Sequence, residues 1–169
     1  MIEGMCMESL LRRYQISLVT LGTGVILFGA WSAAKTMLYF IVRPELNVDF
    51  GPEYDPRTVL LIEIVAFGFV GLILLGDLLL RLYVGRAARA EGMGRRRSSA
   101  YLYITGVMIL FSVFSAGSSL YFSLTGAGDS QNLLDFAVSF VVDVTSIAIM
   151  TRLIVTARRV RRLRAELEG

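Results

Sequence analysis

Four apolar stretches dominate this chain, at about 16–42, 59–84, 100–124 and 133–157, and each reaches the ~20 helical residues that a bilayer core requires. Between them lie short connections, with no room for a soluble domain. Hydrophobic residues make up 55% of the 169, and the mean hydropathy is +0.64. Soluble domains usually stop at about 45–50% apolar even with glycine counted. The expected fold is all-α: a polytopic integral membrane protein whose 1–169 form a single transmembrane domain of four helices in a bundle.

Two of these stretches are written in the same letters. Residues 23–40, TGVILFGAWSAAKTMLYF, lie without a gap over 105–122, TGVMILFSVFSAGSSLYF. Downstream, Leu61, Ile62 and Glu63 lie over Leu133, Leu134 and Asp135, and Arg81-Leu82 matches Arg152-Leu153 after a one-residue slip. A duplicated hairpin explains both correspondences, with repeats at about 12–90 and 95–164. Parallel repeats of two spans are related by an axis along the membrane normal, and repeat interfaces are where membrane proteins build their sites.

The arginines set the expected topology. Arg12 and Arg13 precede the first span, while Arg81, Arg86, Arg89, Arg95, Arg96 and Arg97 end the second or fill the connection to the third. Arg152, Arg158, Arg159, Arg161, Arg162 and Arg164 end or follow the fourth. The two remaining connections hold only Arg43 and Arg57, against Glu45, Asp49, Glu53, Asp55 and Asp129. Basic connections stay inside, so both termini are expected in the cytoplasm of a cell with a multi-pass protein in its cytoplasmic or plasma membrane. Arg12-Arg13 followed by an apolar run and Ala30, Ser32 and Ala34 resembles a signal peptide. Hydrophobicity runs on to Val42, however, past the usual apolar region of about 7–15 residues, which favours a retained span.

Several kinds of chemistry find no residues here. Histidine is absent, and with it the commonest general base and metal ligand. The single cysteine, Cys6, excludes an internal disulfide and a cysteine metal cluster. The remaining nucleophiles and acids form no catalytic spacing. No enzyme activity, cofactor, metal or nucleic-acid partner is expected.

All three prolines, Pro44, Pro52 and Pro56, fall in the first outer connection, which is expected to be extended. Its counterpart, TGAGDSQN, is shorter; the difference is either an acquired task for the first loop or a neutral insertion, which costs little. The inner connection is expected to carry helix two into the cytoplasm, break at Glu91 to Gly94, and restart at the helix-capping residues Ser98 and Ser99. Here and in the C-terminal tail, Arg95, Arg96, Arg97, Arg158, Arg159, Arg161 and Arg162 are the candidates to hold anionic lipid headgroups, at about 1 kcal/mol each. Topology determination alone also accounts for them.

Charges at membrane depth carry the functional weight, because they are costly and tend to face a bundle interior or cavity. Lys35 lies ~10 Å inside the outer end of span one and Glu63 ~9 Å inside that of span two, which predicts an ion pair between adjacent helices. Asp143 stands near the middle of span four, ~12 Å deeper than Asp135. Asp135, Ser139 and Asp143 recur every four residues and Ser146 follows, forming one polar face. Two deep acids against one deep base leave Asp143 without a cationic partner unless Arg152 reaches inward. It either carries a proton or a cation, or it bonds helices three and four together.

Two functions are consistent with these residues. In the first, the protein is a non-enzymatic membrane component that self-associates or serves as an accessory subunit of a membrane complex, its charges acting as assembly contacts. In the second, it is a small oligomeric transporter or channel in which Asp143 and the Lys35/Glu63 pair line a proton or cation path.

Overall fold

The computed structural model describes residues 2–42, 55–124 and 133–168. They form four helices, with no strand among the described residues: α1 (Ile2–Val42), α2 (Pro56–Gly92), α3 (Ala100–Leu124) and α4 (Leu133–Glu168). All four are long and apolar enough to cross a membrane. Three of them exceed the apolar stretches at the arginine-rich end, where α1 begins earlier and α2 and α4 run later than apolarity alone requires. Pro44 and Pro52 of the connection from α1 to α2, and the TGAGDSQN segment between α3 and α4, lie outside the described residues.

The described helix boundaries follow local chemistry. α2 opens with Pro56 in its first turn, where the missing N–H costs nothing, and the Asp55 carbonyl accepts from Thr58 and Val59. It ends at Gly94, which adopts a left-handed φ of 89°. There the Gly94 N–H donates to the Glu91 carbonyl (3.0 Å) and the Arg95 N–H to that of Ala90 (3.0 Å), the paired closure of a helix terminus that favours glycine. α3 restarts where the Ser99 carbonyl accepts from Leu102, with the Ala100 N–H on the Ser98 hydroxyl.

A seam of alternating four- and three-residue steps brings the helices together. Leu18, Gly22, Val25 and Gly29 are buried along α1; Tyr101, Thr105 and Met108 along α3; and Ser146, Met150, Leu153, Ala157 and Val160 along α4. On α2 the buried set includes Val84, Ala87, Ala88 and Glu91. This is the spacing that keeps one stripe of a helix facing its neighbours in a nearly parallel or antiparallel bundle. Around the bundle each helix touches the next in chain order, α1 and α4 close the ring, and α2 meets α4 across the diagonal.

Backbones approach most closely between α1 and α2. A Cβ on Gly22 would lie 2.8 Å from the Gly85 carbonyl oxygen, and one on Gly92 would lie 2.8 Å from that of Gln15. Threonine hydroxyls are satisfied within their own helices: Thr20, Thr23, Thr36, Thr105, Thr145 and Thr151 each donate to the carbonyl four residues back.

The packed core occupies the arginine-rich end. Leu18, Val84, Ala88, Leu153, Ala157 and Val160 are all inaccessible. Toward the other end α2 leaves Leu60, Leu61, Ile64, Val65, Phe69, Leu72 and Ile73 exposed, and α3 leaves Leu110, Phe111 and Phe114 exposed.

Candidate functional site

The most buried charge among the described residues is Glu91, 2% exposed, in the last turn of α2. The buried stripe of α2 points its carboxylate inward, where Arg161 of α4 meets it with two parallel bonds: Nε donates to Oε1 at 2.6 Å and Nη2 to Oε2 at 2.9 Å. Tyr101, in the first turn of α3 and wholly buried, donates its hydroxyl to the same Oε2 at 2.7 Å. Its ring also lies 5.7 Å from the guanidinium carbon of Arg161, within cation–π range. Arg161 further donates from Nη1 to the Ser99 hydroxyl (2.5 Å) and from Nη2 to the Arg97 carbonyl (3.3 Å). The hydrogen bonds to the Glu91 carboxylate hold the Arg161 pKa above its ordinary value. Three helices and one connection thus close on a single carboxylate. Such a pair costs desolvation to form, but removing either partner strands a buried charge.

A second polar cluster lies further along the bundle. Arg81 of α2, its side chain 11% exposed, donates from Nε to Asp77 Oδ2 (2.8 Å) and from Nη1 to Ser146 Oγ of α4 (3.1 Å). Its stem crosses α1 at Gly29, where an added Cβ would come within 2.7 Å of Arg81 Cδ. Asp143, one turn from Ser146, is half-buried, and the charges of Lys35 and Arg81 both act on it.

The helix register places the deep charges named from the sequence. The α1–α2 register sets Gly29 against Arg81, so Lys35, six residues on, falls level with Leu75, six residues back. Glu63 lies about 18 Å further out along α2 at 1.5 Å per residue. The Glu63 side chain lies outside the described residues, as do those of Asp135 and Ser139. Arg152 is exposed and does not turn in toward Asp143; the cations nearest in effect are Lys35 and Arg81. Ser146 is buried, as its place on the polar face suggests, but its partner is Arg81.

The candidate headgroup arginines separate into groups. Arg95, Arg96, Arg97 and Arg158 are exposed. Arg159 donates to the Tyr14 hydroxyl (2.8 Å) and stacks 5.6 Å from its ring, tying α4 to α1. Arg162 makes an exposed pair with Glu166 at 3.6 Å. Arg161 is committed to Glu91. The sequence assigns no site role to Glu91 or Tyr101, although Val84, Ala87, Ala88 and Glu91 carry the seam spacing and mark Glu91 as inward-facing; the i,i+4 spacing of Asp77 and Arg81 does predict their local pair.

Among the described residues no group of three or more Cys, Asp or Glu side chains is placed to hold a metal ion. No family model, curated protein or solved structure matches the chain.

Proposed function

We propose that this protein is a non-enzymatic integral membrane component that self-associates or serves as an accessory subunit of a membrane complex. In this reading four helices cross the bilayer as two tandem hairpins with both termini in the cytoplasm. The observation that carries it is that interior polar groups are spent on joining helices: Glu91 on Arg161 and Tyr101, and Arg81 on Ser146. Supporting it, the exposed apolar surface of α2 and α3 is of a kind that lipid or another membrane helix covers.

A transport path is the second reading, favoured by Asp143, which is half-buried one turn from the buried Ser146. Against it, the positive charges of Lys35 and Arg81 act on that carboxylate and disfavour a further cation there. The test is proton and monovalent-cation flux into vesicles holding the purified protein, with energy transfer between labelled copies measured in the same vesicles. No flux above protein-free vesicles, together with transfer that persists on lipid dilution, is the expected result. Flux that Asp143→Asn abolishes while folding survives makes the protein a transporter instead.

A further inference from the structure

α2 packs closely on α1 but lightly on α3, and between α2 and the start of α3 a cleft of about 380 Å3 opens to the surface. Leu79, Leu82, Tyr83 and Arg86 line it from α2, and Arg97 and Ser98 line it from the connection that leads into α3. The α2 residues follow the steps i, i+3, i+4 and i+7, so they share one helix face. That face is graded, with an apolar end at Leu79 and a charged end at Arg86, ~10 Å apart along the axis at 1.5 Å per residue. Arg97 and Ser98 join the charged end. Arg86 and Arg97 are exposed, and neither guanidinium has an ion-pair partner among the described residues. The Ser98 hydroxyl accepts from the Ala100 N–H at 3.3 Å, which leaves its own proton to donate. The first turn of α3 adds the positive end of a helix dipole.

We infer that this cleft seats one net-anionic phospholipid, its phosphate between Arg86 and Arg97 and its acyl chains running past Leu82 and Leu79 toward the middle of the bilayer. An apolar trough that ends in guanidinium groups and a hydroxyl matches a molecule with a charged head and hydrocarbon tails. Guanidinium forks take phosphate oxygens in pairs. A zwitterionic headgroup brings an ammonium toward the same arginines, so a net negative one is favoured. The apolar lining gives a soluble phosphate nothing to bond and disfavours it as the occupant. The site rests on the proposed crossing of the bilayer by α2 and α3, which cysteine labelling tests separately, and not on the assembly role.

Native mass spectrometry of the full chain in a neutral detergent tests the site. Dioleoylphosphatidylglycerol, dioleoylphosphatidylcholine and glycerophosphoglycerol, the first lipid's headgroup without its acyl chains, are titrated singly at constant ionic strength. One adduct per chain that saturates with phosphatidylglycerol is expected, with weaker binding of phosphatidylcholine and none of glycerophosphoglycerol. Arg86→Gln and Arg97→Gln should each raise the half-saturating phosphatidylglycerol concentration about tenfold, and Arg158→Gln, an exposed control, should leave it unchanged. Both arginines are exposed, so replacing them should leave the fold intact; if one variant does not fold, the other decides. Saturation by glycerophosphoglycerol would make this a soluble-anion site and overturns the proposal. Absence of saturation, equal binding of phosphatidylcholine, a folded Arg86→Gln or Arg97→Gln that binds like the unaltered chain, or equal weakening by Arg158→Gln overturns it in favour of diffuse surface attraction.

Discussion

Glu91 shows how much one buried side chain decides. Its neighbours Val84, Ala87 and Ala88 place it on the inner face of α2, and the glycine closure that follows sends the chain over the top of α4, where Arg161 waits one helix away. Arg161→Gln should destabilise the protein by about 3–5 kcal/mol, because it leaves the Glu91 charge buried without its cation, and Glu91→Gln should cost less, because the Arg161 side chain it leaves is 30% exposed. The double change should cost well under the sum of the two, and a double-mutant cycle in detergent unfolding measures the difference. Additive losses would mean the two groups do not support each other. Tyr101→Phe removes one donor yet leaves the pair, so about 1–2 kcal/mol is its expected cost. None of these roles could be read from charge counting, since Glu91 sits in a run, EGMG, whose glycines advertise only a break. The Asp143 neighbourhood was legible by depth but not by partner: Arg81 stands near the end of its apolar stretch and reaches Ser146 only because Gly29 lets its stem pass.

At the scale of elements, the α1–α2 pair rests on glycines spaced seven apart on both helices: Gly22 and Gly29 of α1 face Gly85 and Arg81, and Gly85 and Gly92 of α2 face Ile26 and Val19. A methyl group added at Gly85 meets the side chain of Ile26 and the backbone carbonyl of Gly22, and no rotamer change moves a carbonyl. Gly85→Ala should therefore part the helices and cost about 1–3 kcal/mol. At Gly71 nothing lies within 4 Å of the added carbon, so Gly71→Ala should be neutral or stabilising by up to about 1 kcal/mol through helix propensity. Equal effects at the two sites would show that α1 and α2 do not pack through this stripe. Residues that the sequence aligns differ in use: Arg81 is bonded in the interior while Arg152 is exposed. Thr23 and Thr105 keep the same bond to the carbonyl four residues back, at 3.0 and 2.7 Å. Letters shared by two segments thus foretell shared helix structure more reliably than shared partners, because backbone hydrogen bonds are local and side-chain partners depend on the neighbouring element.

For the molecule as a whole, four long helices were legible because an apolar run of twenty or more residues has few other stable forms, whereas the uneven packing was not. Apolarity is spread along every span, yet the core gathers at the arginine-rich end, where small residues and the seam spacing coincide. The proposed orientation puts that end in the cytoplasm and can be tested on a chain with Cys6→Ser as background. Met93 is exposed in the turn after α2, so Met93→Cys reports the inner side without the clash that any side chain at Gly92 would make with Val19 and Gln15. Asp49→Cys and Ser130→Cys fall in the two acidic, arginine-poor connections. An impermeant maleimide applied to intact cells should label the cysteines at 49 and 130 and spare the one at 93 until the membrane is opened, since basic connections are retained inside. Labelling at 93 with protection at 49 and 130 would invert the molecule and move the Glu91–Arg161 pair to the outer side. Protection of only one outer site would instead reduce the number of crossings and remove the paired-hairpin arrangement altogether.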